Sequence, residues 1–189
     1  MYMNILFFTI TLSNLLLLAS SSNCVCTTVS CPMVGTNNLV MGGGYAKIAY
    51  EYELHRDYPV VISASGTITP DSLDKGTDTT SCTQKYARQM DDDGIEDCDA
   101  GHILANRLGG YGNQPINIFP QDLTVNRGAY AQYESNIYHC MLDGAKVGNI
   151  EWQFLYTNST RTKPHTVIYS VSFDGGSCKS LTSTFTNGL

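Results

Sequence analysis

The stretch DAGHILANRLGG, residues 99–110, puts a histidine directly after a glycine in the most polar part of a chain with four histidines. A neutral imidazole can take a proton near neutral pH. His102 is therefore either a working base or a histidine on a turn. Two amides and a carboxylate follow it: Asn117, then Asn126 nine residues on, then Glu134 eight beyond that. Their side-chain oxygens are the kind that hard divalent cations take as ligands. Each also has an ordinary reading alone: a structural histidine, a turn asparagine at 117, a helix cap at 126 and a solvated helix glutamate at 134.

Positioning such groups takes a strand, a connection and a helix. NRGAYAQYESNIYHCM, residues 126–141, carries Ala129, Tyr130, Tyr133, Ile137, Cys140 and Met141 at steps of three and four, a helical spacing. Asn126 suits the N-cap and Gly144 the stop. Steps of four keep Asn126, Tyr130 and Glu134 on one side. His102 is expected after a strand, with NIFPQD (117–122, containing Pro120) as the loop leading to the helix. Alternation predicts strands at 45–54, 59–69, 150–156 and 165–173, the last two joined as a hairpin through TNSTRTKP. Residues 23–45 read as irregular and 70–94 as a polar loop with a turn at Asp93-Gly94. The fold class is α+β: a twisted, mainly antiparallel sheet with one principal helix.

Residues 5–19, ILFFTITLSNLLLLA, are nearly all apolar and are followed by Ser20, Ser21 and Ser22. Residues 1–22 read as a secretory signal peptide, short of the roughly 20 apolar residues of a membrane span. No Lys or Arg precedes the run, so an uncleaved anchor is the competing reading. No other segment could span a bilayer, and no membrane association is expected after cleavage. A cysteine-containing segment, 23–45, then precedes the main domain, 46–189. Cys24, Cys26, Cys31, Cys82, Cys98, Cys140 and Cys178 make an odd set. In an exported chain they predict disulfides, at most three within the chain, with one thiol left over. CVCTTVSC does not match the paired CxxC zinc spacing.

The net charge of -6 argues on composition against a nucleic-acid binder. A local basic patch and a metal suffice for an enzyme, however. Asp91, Asp92, Asp93, Glu96 and Asp97 do not fit the calcium-loop pattern. They read as a solvated loop whose charge raises the pKa of His102. Asn158-Ser159-Thr160 is a glycosylation sequon on the hairpin loop.

DxGH, the GG after it and NIFPQDLTVNRGAYAQYE together resemble the DNA/RNA non-specific endonuclease family of the His-Me finger superfamily. The resemblance is close over residues 95–142 and general in character beyond them. The family pattern has a His after Asp-x-Gly, an Asn opening N-x-x-P-Q, an Asn before x-Gly-Ala-aromatic, and a Glu further on. His102, Asn117, Asn126 and Glu134 match it without a gap. The resemblance implies a ββα-metal unit with His102 as general base and Asn126 as the direct ligand of Mg²⁺, for which Mn²⁺ can substitute. Glu134 would orient the ion's waters, and Asn117 would hold the His102 segment or the substrate phosphate. One amide is a sufficient anchor because Mg²⁺ keeps most of its waters. DNA and RNA are the implied substrates, with little base preference because contacts go to phosphate and sugar.

One position departs from the pattern. Some members carry Arg after the Asp of DxGH, where this chain has Ala100. Arg127 and Arg107 are the candidate replacements, Arg127 favoured as the neighbour of Asn126. The resulting expectation is a secreted, disulfide-bonded, Mg²⁺-dependent endonuclease. The rivals are a catalytically inactive secreted protein binding nucleic acid or glycan on the same fold, and an antibacterial toxin using the same catalytic unit.

Overall fold

The computed structural model describes residues 35–56, 58–94 and 98–188. Strands β1 (Gly35–Met41), β2 (Ala46–His55) and β3 (Tyr58–Ile68) are followed by helix α1 (Ser81–Gln89). Two short strands come next, β4 (Cys98–His102) and β5 (Ile118–Asp122). Helix α2 (Leu123–Val125) runs through a π-helical turn (Asn126–Tyr130) into α3 (Ala131–Leu142). Strands β6 (Lys146–Leu155), β7 (Thr166–Asp174) and β8 (Leu181–Thr186) follow. Six strands form one sheet in the order β1-β2-β3-β6-β7-β8, and β4 and β5 form a separate pair. Every pairing is antiparallel. The expected α+β architecture is present.

Alternation builds the large sheet. In β2, Ala46, Ile48, Tyr50 and Tyr52 face the core while Lys47, Glu51 and Glu53 face out. In β6 the period slips at a bulge between Val147 and Asn149, after which Ile150, Trp152 and Phe154 point inward. The expected hairpin is the β6–β7 pair. Against this face pack Tyr130 and Tyr133, whose rings lie 5.5 and 4.8 Å from that of Tyr169. Trp152 meets the same ring at 4.7 Å. Such pairs add about 0.5–1.5 kcal/mol each beyond burial. This aromatic layer fastens the helix to the sheet.

Four local expectations are corrected. Residues 35–41 are not irregular but an edge strand paired along its length with β2, so the folded unit begins before residue 46. The 70–94 segment contains α1, opened by a capping box between Thr80 and Thr83. NIFPQD is largely strand β5, and Pro120 is tolerated because a two-stranded pair has only edges. Asn126 is not the N-cap: the helix starts at Leu123, and the Asp122 carboxylate accepts from the backbone N–H groups of Thr124 and Val125.

The acidic run is not a solvated loop over its described part. Asp91 and Asp93 hold the buried Lys163 ammonium at 3.0 and 2.6 Å, and Asp92 pairs with Arg56 at 2.9 Å. Cys140 and Cys178 form a disulfide tying the end of α3 to the β7–β8 connection, and Cys82 is disulfide-bonded too. Cys98 is the free thiol among the described residues. Burial and the neighbouring Asp91 push its pKa up to about 12. The sequon asparagine, Asn158, is exposed and accepts from Thr160. The leader and CVCTTVSC lie outside the described residues. Among the described residues, no helix is long and apolar enough to cross a membrane.

Candidate functional site

His102 ends β4, opposite Ile118 of β5. Gly101 before it must be glycine on steric grounds: an added Cβ would lie 2.2 Å from Oε1 of buried Gln121. The ring is held on a second side by Gly112, where a Cβ would come within 2.5 Å of His102 Nε2. Nε2 lies 3.1 Å from the Thr77 carbonyl oxygen. A carbonyl can only accept, so Nε2 carries the proton and Nδ1 is left as the basic nitrogen. Burial lowers the His102 pKa below its ordinary value, opposed by the Thr77 carbonyl and by Asp78. The shift is thus downward, and Asp78, not the 91–97 run, is the carboxylate that acts on the ring.

The helix supplies the other wall. Asn126 lies inside it, with backbone angles of −57° and −49°. Its Nδ2 donates to Asp99 Oδ2 at 2.8 Å, leaving Oδ1 without a hydrogen bond among the described residues. Asp99 also receives Arg127 as a fork, Nε at 2.9 Å and Nη2 at 2.8 Å. The carboxylate of the DAGH stretch therefore aims the amide on the helix, a role its position in the sequence did not suggest. The turn that carries Asn126 is opened by Gly128, whose angles of −112° and −107° are not helical. Wide turns of this kind occur often where a helix carries function.

His102, Asn126, Glu134 and Arg107 line one cleft of about 450 Å³, together with Ala105, Asn106 and Ala131. Glu134 Oε1 is buried and has no hydrogen-bond partner. Burial pushes its carboxyl well above the ordinary range, with Arg107 opposing the rise. A buried carboxylate oxygen without a donor, sharing a cleft with a free amide oxygen, fits a divalent cation, which supplies the missing positive charge. Among the described residues no three His, Cys, Asp or Glu side chains form a metal cage. That donor set suits an ion that keeps its own waters.

Two of the expected site residues are engaged within the protein. Asn117 is fully buried and accepts from the Tyr50 hydroxyl and the Leu104 N–H, both at 2.9 Å. It donates to the Leu104 carbonyl at 3.0 Å. Of its two expected roles, holding the segment after His102 is the one its packing performs; it has no exposed surface for a phosphate. Arg127 is exposed, but its guanidinium is closed on Asp99 rather than open to an anion. Arg107 lines the cleft and rests over the Tyr138 ring at 4.9 Å.

Residues 49–171, which include all four motif residues, match the DNA/RNA non-specific endonuclease family. The chain belongs to that family. Among curated proteins, it is 36% identical over 115 residues to the probable deoxyribonuclease RhsA of Dickeya dadantii. The aligned part is 61% of this chain and 8% of that protein, so the chain spans under a tenth of the relative's length. Among solved structures, NucA from Streptococcus agalactiae with magnesium bound has the same fold, with a TM-score of 0.50. That match covers 82% of this chain and 85% of NucA at 12% identity. The non-specific endonuclease fold here is thus the six-stranded sheet with its β4–β5 pair and kinked helix.

Proposed function

We propose that the protein is a secreted, Mg²⁺-dependent endonuclease that hydrolyses phosphodiester bonds of DNA and RNA with little sequence preference. The observation that carries this is one cleft holding a base nitrogen, a free amide oxygen and a buried carboxylate oxygen with no donor. His102 Nδ1 takes the proton of the attacking water, while Thr77 fixes the tautomer and Gly112 the ring's place. Asn126 Oδ1 would be the direct ligand of the cation and Glu134 would orient its waters, with Asp99 orienting the amide. Bound there, Mg²⁺ or Mn²⁺ stabilises charge on the phosphate and the leaving oxygen. Arg107 is placed to meet phosphate charge, and Asn117 keeps the loop behind His102 rigid.

DNA is the first substrate to test, given the deoxyribonuclease description of the RhsA relative. Export rests on the apolar leader sequence and on the Cys140–Cys178 bridge, a bond typical of oxidising compartments. The decisive experiment is digestion of plasmid DNA and of RNA with chelator, then with added Mg²⁺ or Mn²⁺. Cleavage should vanish and return. Cleavage indifferent to chelator would remove the metal from the mechanism, and absence of cleavage would favour a binding protein.

A further inference from the structure

A second cleft, of about 840 Å³, meets the first at His102 and Asn126 and runs across β4 to α1. Its walls include Asp78, Gln84, Arg88, Ala100 and Arg127. Of these, Asp78 acts on the charge of His102, and the proton transfer and the cation site use no other. The cleft is larger than the first, and it leaves the reacting groups in the middle of a continuous depression. Such a shape suits a polymer passing through, not a small ester that fills one side.

The charges in it are arranged accordingly. Arg127 is bound to Asp99, and freeing it would also disturb the partner that aims Asn126. Asp78 is engaged by the Asn106 amide at 2.6 Å. Arg88 is exposed on the last turn of α1 and has no ion pair or hydrogen bond among the described residues. Arg88 lines the cleft together with Cys98 at the start of β4, so it faces the depression and not away from it. Ala100 contributes only a methyl group to the wall of the cleft.

On the nuclease reading above, we infer that the α1 cleft is the second half of the polynucleotide path. Arg88 binds a backbone phosphate on one side of the cleaved bond, and Arg107 serves the other side. A guanidinium that has no ion pair among the described residues can engage phosphate oxygens in a fork without first leaving one of their carboxylates. In a chain of net charge -6, such placed cations are what draw the backbone into the cleft.

The test compares Arg88→Gln with Lys85→Gln. Both remove one positive charge from α1, both residues are exposed, and Lys85 does not line the cleft. In a His102→Ala background with chelator, a short fluorescein-labelled DNA duplex is titrated by anisotropy across a salt series. Arg88→Gln should weaken binding about tenfold, the worth of one charge-assisted contact. It should also flatten the slope of log K against log salt by about 1. Lys85→Gln should leave both close to the parent. In the active enzyme, Arg88→Gln should raise KM for plasmid with kcat retained. Coincident binding curves for the two variants would overturn the assignment. If the wild type cuts neither DNA nor RNA while the Arg88-dependent slope persists, the nuclease reading falls and the path through the α1 cleft stands.

Discussion

Two asparagines nine residues apart mark opposite kinds of environment. Around Asn117 water is excluded, and the amide is spent on Tyr50 and on both backbone groups of Leu104. Around Asn126 the cleft is open, the amide oxygen is free and a glutamate oxygen has no donor. The first arrangement rigidifies, because a satisfied buried polar network admits one geometry. The second is poised, because its groups lack the charge that a ligand would bring. The family motif contains both asparagines; the fold buries one behind the segment after His102 and turns the other toward the cleft.

The comparison breaks most visibly at the base. His102→Ala should lower turnover on the order of 100-fold or more, with thermal unfolding near wild type. A well-folded variant with full activity would remove His102 from the chemistry. Asn126→Ala should cost about 10- to 100-fold, even at saturating metal. Asn126→Asp should retain part of the activity at a lower Mg²⁺ requirement. It also sets a carboxylate against Asp99, so added Mg²⁺ should raise its melting temperature more than the wild type's. Identical Mg²⁺ curves in plasmid nicking for all three proteins would show that Asn126 holds no ion.

Asn117→Ala should act on stability instead. It strands the Tyr50 hydroxyl and the Leu104 groups in the core, a loss of roughly 3 kcal/mol. For a chain of this size that lowers Tm by about 6–12 °C. Activity of the folded fraction should fall far less than in Asn126→Ala. A variant as stable as wild type but inactive would place Asn117 at the substrate after all.

The smallest effect is on pH. Burial lowers the folded-state pKa of His102, so the neutral base survives below the ordinary histidine value of 6.5. The acid limb of kcat/KM should therefore lie below pH 6.5. By linkage, the unfolded chain takes up this proton first as pH falls. The contribution to stability is whole above the ordinary value and is lost as pH drops through the lowered one. An acid limb above 6.5 in a pH–rate series would contradict the burial of the ring.

Much of this was legible in order, because alternation in β2, β3, β6 and β7 and the helical spacing after Asn126 are local signals. Three motif residues, His102, Asn126 and Glu134, line one cleft, joined there by Arg107 and not by the favoured Arg127. Other features were hidden for physical reasons. Helix α1 buries Thr83, Tyr86 and Ala87, with Met90 just after it, a helical spacing masked by a polar Thr and by the surrounding polar residues. Strand β1 carries Asn37 and Asn38, and β5 carries Pro120, residues that ordinarily signal turns. The acidic run looked solvated because its partner, Lys163, arrives from a distant loop. Asp99 looked like the polar lead of a motif, and only the fold brings Asn126 and Arg127 onto it.

The wide turn at Asn126–Tyr130 has a consequence for angular phase. In a regular helix of about 3.6 residues per turn, a step of eight residues overshoots two full turns by roughly 80°. Asn126 and Glu134 are separated by such a step and would diverge around the cylinder. A turn that absorbs one extra residue makes eight steps rotate like seven, which returns to within about 20° of the starting direction. The two side chains then share one bearing, as their common cleft requires. Deleting Gly128 should relax the turn to an ordinary helix and still leave the pair aligned, now as a plain heptad step. Inserting a residue there should swing Glu134 away from the cleft.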